Sequence, residues 1–380
     1  MASVKTWGER LFYEEELHGR KGKQSKSQPL KLRNAKAGSS SKSGRGGGGG
    51  RSANFYRERL TALVENHPQV TVKITGGNKS LAGFVAHVNY ISHHGEDELE
   101  TEDGEVIQGE MTAEELQALW GGDLSTAATG ENKYRENFHI VFSMPPGTDR
   151  ARFGTAARET ARELFADNHR FLMAEHSNTE HPHLHVVVKA VGEDGRRLNP
   201  KKADLRHWRE VFASNLRRHG IKAEATSRQI RGRFEKSMKG KVEQMRRNGR
   251  IPRSQSEWEA DIADRVKNGQ PYQHSKAVAK AKNTRVVVRG IYQGMIKDLE
   301  KSEYDADKEL AMKLRRFLAE MPRINPREKV VYEEHRQRLE QAKALRRELA
   351  EQGRVQAQPE QQKQTAKRKD GGEPEIKPKQ

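Results

Sequence analysis

The stretch Glu175-His176-Ser177-Asn178-Thr179-Glu180-His181-Pro182-His183-Leu184-His185-Val186-Val187-Val188-Lys189-Ala190 places four of the chain's 15 histidines within ten residues and then turns apolar. The valine run, closed by Gly192-Glu193-Asp194-Gly195, reads as a buried strand ending in a turn. Side chains alternate along a strand, so His181, His183 and His185 are expected on one face, with Pro182 and Leu184 on the other. Three imidazoles on one face fill a core poorly but suit metal or phosphate chemistry. Three readings of these residues stand open. They form a solvated polar strand end, or a histidine triad hydrolase signature whose middle histidine attacks a nucleotide phosphate without metal. In the third, His183 and His185 join His176 around a divalent cation, leaving positions for a phosphate oxygen.

Composition favours a polyanionic partner. The 380 residues carry 71 Lys+Arg against 53 Asp+Glu, a formal net charge of +18, and the pI is near 9.9. A field of that sign attracts nucleic acid or anionic lipid. The start has no apolar signal core and no uncharged run is long enough to cross a bilayer, so no membrane insertion is expected and nucleic acid is the better partner. There is no cysteine, which excludes disulfides, a thiol nucleophile and Cys-ligated zinc. Hydrophobic residues make up only 33%, so part of the chain is expected in helical arms or disorder.

Outward from the histidines, the chain divides into five stretches. Residues 1–67 form a basic, Gly/Ser-rich flexible arm, with a short helix over Phe55–Val64 leading out of it. Residues 68–225 form a globular unit. Within it, Thr71-Val-Lys-Ile-Thr is a strand, and Ser80–Ser92 spaces Leu81, Phe84, Val85, Val88 and Ile91 as a helix. Tyr90 lies near that helix's C-terminus, off the apolar stripe, beside His87, His93 and His94. A hairpin about Asp103-Gly104 follows, then a helix at Thr112–Trp120, a strand over Asn137–Met144, and a helix capped by Thr148 or Asp149. Phe171–His176 and the histidine strand come next, and the amphipathic helix Asp204–Arg218 closes the unit. Strands backed by helices on one face predict an α+β fold, an antiparallel-sheet palm with helices packed on it.

Residues 226–285 are a basic helix and linker. Ten Lys/Arg face two Glu over 226–253, with Ile230, Phe234 and Met238 at helical spacing. Arg228, Arg231, Arg233, Lys236 and Lys239 are its candidate nucleic-acid contacts. Residues 286–351 read as a mainly helical C-terminal region, and 352–380 as a disordered tail.

Three ordered segments carry a family resemblance. Ala86-His-Val-Asn-Tyr90-Ile-Ser-His-His-Gly, Asn137-Phe-His-Ile-Val-Phe-Ser143-Met-Pro and His176-Ser-Asn-Thr-Glu-His-Pro-His183-Leu-His185-Val-Val resemble the motifs of plasmid mobilisation relaxases. These are P-type, histidine-hydrophobe-histidine endonucleases, a family that includes the T-DNA border endonuclease. His181 and Asn178 depart from the residues usual there. The resemblance implies that Tyr90 is the nucleophile, Ser143 an auxiliary hydroxyl, and His176, His183 and His185 the ligands of Mg²⁺ or Mn²⁺. A carboxylate, Glu136 or Glu175, would orient one imidazole. The implied function is strand-specific nicking of plasmid DNA at a transfer origin through a 5′-phosphotyrosine. The implied partners are single-stranded or supercoiled DNA, relaxosome accessory proteins and a type IV coupling protein. The implied location is the bacterial cytoplasm, with passage alongside DNA to a recipient cell. The competing classes are the histidine triad phosphohydrolase and a basic accessory protein that binds DNA without cutting it.

Overall fold

The computed structural model describes residues 4–13, 52–120, 134–176, 179–234 and 240–369. Lys236, Lys239, Asn178 and most of the Gly/Ser-rich arm lie outside them. Two compact units are present, Met1–Gly232 with Val287–Met321, and Arg233–Val286 with Pro322–Gln380.

The first unit is built on a sheet. Helices α1 (Val4–Tyr13) and α2 (Ala53–Val64) precede β1 (Thr71–Gly76), α3 (Leu81–Ile91), β2 (Leu99–Thr101), β3 (Val106–Ile107) and α4 (Ala113–Trp120). Then come β4 (Asn137–Ser143), α5 (Arg150–Phe165), β5 (Phe171–His176), β6 (His183–Lys189) and α6 (Lys202–Arg218). The six strands lie in the order β1-β4-β6-β5-β2-β3, and every named pair is antiparallel. This is the expected α+β sheet with helices packed on it. Helix starts follow capping chemistry: Ser52, Ser80 and Asp149 each accept from a backbone N–H three residues on, which satisfies an otherwise orphaned donor.

Strand alternation sorts the side chains into two layers. Val72, Ile140, Phe142, Phe171, Met173, Leu184, Val186 and Val188 form one core with Phe153 of α5 and Trp208 and Phe212 of α6. On the other face Leu99, Leu172, Ala174 and Val187 pack with Phe84, Val88 and Ile91 of α3 and with Leu116 and Trp120 of α4. Helices therefore cover both faces, where the sequence pattern suggested one. The second layer covers only part of its face, because Ser143, His183 and His185 take the remaining positions.

The N-terminal stretch is not all tether. In α1, Leu11 and Phe12 are buried, Trp7 Nε1 donates to Asp298 Oδ2 at 2.7 Å, and a Cβ at Gly8 would run into the Tyr56 ring. Arg59 of α2, 5% exposed, donates through Nε and Nη2 to Glu224 Oε1 at 3.0 and 2.8 Å, and through Nη1 to the Tyr13 hydroxyl at 2.9 Å. The later helices also divide differently from the expected 286–351 block. The part of α9 (Lys276–Glu300) from Val287 on and α10 (Asp305–Glu320) belong to the first unit, where Asp307 accepts from Arg57 at 2.7 and 2.9 Å.

No helix forms over residues 221–234. Ile230 is buried there with its carbonyl accepting from the Tyr292 hydroxyl at 2.9 Å, and Gly232 takes a φ of 71° against Met321, a conformation that breaks a helix. The second unit holds α7 (Gly240–Arg247), α8 (Arg253–Lys267) and α11 (Arg327–Lys369), and α8 and α11 share a small core of Ile262, Val266 and Tyr332 with Trp258 and Tyr272 packed against it. Helix α11 runs to Lys369, past the Glu351 limit expected from composition. Among the described residues no helix is long and apolar enough to cross a membrane.

Candidate active site

The histidines meet where three elements end. Register sets Ser143 of β4 opposite His183 of β6, and His183 opposite His176 of β5, so the three side chains share one face at one end of the sheet. His185, two residues along β6, joins them. Ring centroids lie 4.9 Å apart for His176 and His183, 4.5 Å for His176 and His185, and 5.1 Å for His183 and His185. Each of the three offers a ligand nitrogen within 4.8 Å of the others.

Hydrogen bonds fix which nitrogen two of the rings have left. His176 Nε2 donates to the Ile91 carbonyl at 2.6 Å, one of the carbonyls a helix C-terminus leaves without an intrahelical partner. His183 Nδ1 is 2.9 Å from the His181 carbonyl, which can only accept. The remaining nitrogens, His176 Nδ1 and His183 Nε2, then face each other at 3.1 Å as two acceptors. A shared cation removes that repulsion. Burial pushes His185 down to about 3, helped by the neighbouring imidazoles, and lowers His176 despite its bond to Ile91. Neutral imidazoles are the form that coordinates, so this donor set fits a divalent ion.

Tyr90 enters from the helix that supplies the Ile91 carbonyl. It is 65% exposed, one residue before the group bonded to His176. One turn earlier on α3, His87 lies 6.2 Å from the Tyr90 ring and stacks at 3.3 Å on His139 of β4. His139 Nε2 is 2.5 Å from Asn78 Oδ1. Burial holds His87 near 4 and, with His87 and Arg135, holds His139 near 3. His139 was legible as the residue alternating with Val141 and Ser143, but the sequence reading gave it no role. His93 and Asp97, in the turn after α3, form a second possible ligand group with His176.

Other expected residues fall elsewhere. Glu175 lies on the opposite face of β5 from His176, with Oε2 2.6 Å from Arg158 Nη1, and does not orient a histidine. Glu136 precedes β4 at the end away from Ser143; its N–H donates to the Asn78 carbonyl at 2.7 Å. His181 precedes β6, is exposed, and has Nδ1 3.3 Å from the Met144 carbonyl, outside the cluster. Arg228 and Arg233 are exposed and Arg231 is half-buried.

Residues 90–221 match the family described as Relaxase: MobA/VirD2-like, nuclease domain. The chain is similar to T-DNA border endonuclease VirD2 of Rhizobium rhizogenes, 31% identical over 186 residues, which is 44% of this chain and 43% of that protein. Similarity to the VirD2 of Rhizobium radiobacter is 30% over 184 residues, 43% of each chain. For Agrobacterium fabrum it is 29% over 182 residues, 43% of this chain and 41% of the relative. The chain thus spans under half the length of the curated relatives it matches. No solved structure matches.

Proposed function

We propose that this chain, whose residues 90–221 match a MobA/VirD2-like relaxase nuclease domain and which is similar to VirD2 endonucleases, nicks one DNA strand at a plasmid transfer origin with Tyr90 as nucleophile. The observation that carries the proposal is the hydrogen bond from His176 to the carbonyl of Ile91. It joins the residue next to an exposed tyrosine to three clustered, lone-pair-bearing imidazoles. In the reaction the Tyr90 oxygen forms a bond to phosphorus, the P–O3′ bond breaks, and the tyrosine proton leaves as the 3′ oxygen takes one up. The ester bond energy stays in the phosphotyrosine for later rejoining.

His176, His183 and His185 would hold Mg²⁺ or Mn²⁺, which supplies Lewis-acid polarisation of a non-bridging phosphate oxygen. Ser143, opposite His183 in the sheet, offers a hydroxyl donor on the same face. Arg228, Arg231 and Arg233 would bind backbone phosphates, and accessory relaxosome proteins with a type IV coupling protein would complete the assembly in the donor cytoplasm. The histidine triad alternative needs His181 beside His183 and His185, and its ring turns instead toward Met144.

The test incubates the protein with a labelled single strand carrying its origin. A covalent protein–DNA adduct is expected, stopped by EDTA and restored by Mn²⁺ or Mg²⁺. Tyr90→Phe should abolish the adduct while DNA binding persists, since an exposed residue loses only its hydroxyl. Adduct formation by that variant would remove Tyr90 from the role and make Tyr134, also exposed, the next candidate.

A further inference from the structure

The registers of the sheet carry the histidine face past the imidazoles to an open edge. Ser143 of β4, opposite His183, also lies opposite Thr71 of β1, and Val141, opposite His185, lies opposite Lys73. Cross-strand partners share a face, so two rows cross it, Thr71–Ser143–His183–His176 and Lys73–Val141–His185. The other face of these strands is closed, with Val72, Ile140, Phe142, Leu184 and Val186 fully buried. On the histidine face Thr71, Val141 and Ser143 are half-buried and Lys73 is exposed. The α3–α4 layer packs on β2, β5 and Val187 of β6, and none of the apolar residues it covers belongs to β1 or β4.

Charge is uncompensated at that edge. The Lys73 side chain pairs with no other described residue. Arg209 of α6 meets β1 at the residue before it, donating through Nη2 to the Val72 carbonyl at 3.0 Å. Burial lowers the Arg209 guanidinium, with no carboxylate to offset it among the described residues. A cation taken out of water without a counter-charge is costly, and a bound anion reduces that cost. We propose that Lys73 binds the DNA phosphate next to the one cleaved, and that Arg209 receives the single strand as it leaves over the edge of β1. The inference rests on the nicking proposal, because the three histidines place the cleaved phosphate. Strands β1 and β6 are separated only by β4, roughly 10 Å between backbones at ordinary strand spacing. A lysine side chain and one nucleotide can span that gap over Val141, whose methyl groups suit a deoxyribose. Lysine is a point charge on a flexible stem, suited to a phosphate that is held but does not react.

The full chain is titrated with a labelled oligothymidylate at several salt concentrations in EDTA, reading dissociation constants by fluorescence anisotropy. Wild type is compared with Lys73→Gln, Lys73→Arg, Arg209→Gln and the double glutamine variant. Each lost phosphate contact should reduce the slope of log affinity against log salt by about 0.7, and the double variant should lose about 1.4. Lys73→Arg should keep the wild-type slope. On a strand carrying the origin, Lys73→Gln should raise the DNA concentration for half-maximal adduct formation and leave the maximal rate unchanged, because contact to a non-reacting phosphate holds ground state and transition state alike. A wild-type slope in Lys73→Gln would overturn the proposal, and one in Arg209→Gln would overturn the path over the edge. A fall in maximal rate alone would move Lys73 to the reacting phosphate, and an equal slope loss in Lys73→Arg would make its effect one on the edge strand; either refutes the assignment. If wild type forms no adduct at all, the nicking reading fails and the placement falls with it; a slope loss in Lys73→Gln would then mark Lys73 as a DNA contact only.

Discussion

Replacing His176 and His181 in parallel separates the metal site from the histidine triad reading. His176 is 6% exposed and bonded to the Ile91 carbonyl, with its other nitrogen 3.1 Å from His183. His181 is exposed and lies outside the cluster. If the folded state alone binds metal, Mn²⁺ at about 100 times its dissociation constant stabilises it by about 2.7 kcal/mol. For a domain of roughly 150–250 residues each kcal/mol moves the melting temperature about 2–4 °C, so wild type should gain about 5–11 °C. His176→Ala should lose that gain. It should also lower the metal-free melting temperature, since the buried Ile91 carbonyl then lacks its donor at a cost of about 1–3 kcal/mol. His181→Asn, a surface change, should shift the metal-free value by no more than about 0.5 kcal/mol and keep the full metal gain. The assay is thermal unfolding of each variant with EDTA and with Mn²⁺, so the difference isolates binding from packing. A His176→Ala protein that keeps the metal gain, or a His181→Asn protein that loses it, would refute the ligand assignment.

Glu224→Gln should destabilise the first unit by about 3–5 kcal/mol in urea unfolding, because the guanidinium of Arg59, 5% exposed, loses its buried counter-charge; a loss below about 1 kcal/mol would mean that Glu210, 3.6 Å away, suffices. Removing residues 1–13 should lower stability as well as DNA affinity, since Leu11 and Phe12 are buried and Tyr13 accepts from Arg59; an unchanged urea midpoint would show that α1 contributes only charge. For the metal-free protein, His139 and His185 are held near 3 against about 6.5 unfolded. The unfolded chain therefore binds more protons below pH 6.5, and stability should be level above that pH and decline toward pH 3. The decline is at most about 1.4 kcal/mol per pH unit per histidine, and less for the partly exposed His185. His139→Asn should reduce the slope; a flat profile between pH 7 and 5 would contradict the burial of neutral imidazoles.

What the sequence revealed and concealed follows from range of interaction. Strands β4 and β6 were legible because alternation is local, and it correctly put His183 and His185 on one face. The same parity rule, applied to Phe171–His176, already places Glu175 and His176 on opposite faces, so the orienting role considered for Glu175 conflicted with a pattern available in the sequence. His181 escaped the rule because β6 begins only at His183, after Pro182, which cannot donate to a ladder. In α1, Val4, Gly8, Leu11 and Phe12 line one side at helical spacing, a signal masked by the basic, glycine-rich composition that follows. Ile230 and Phe234 have helical spacing too, but the left-handed Gly232 between them ends any helix, and the space a Cβ would need there is taken by Met321, almost ninety positions away in the chain.

The turn of His93 and Asp97 was hidden for a stronger reason. Its two left-handed residues are histidines, with only Gly95 after them to signal a turn, and the His93 side chain finds His176 only once α3 is anchored by Phe84, Val88 and Ile91 against the sheet. Anchoring that apolar stripe also leaves Tyr90 on the exposed side of the same helix and points the Ile91 carbonyl at His176. One packing event thus positions the nucleophile candidate, a donor-fixing carbonyl and the imidazole–carboxylate pair together. Substitutions at Val88, remote from any reacting atom, are therefore expected to disturb metal binding and nicking alike, whereas substitutions in the α5–α6 layer should act through stability alone.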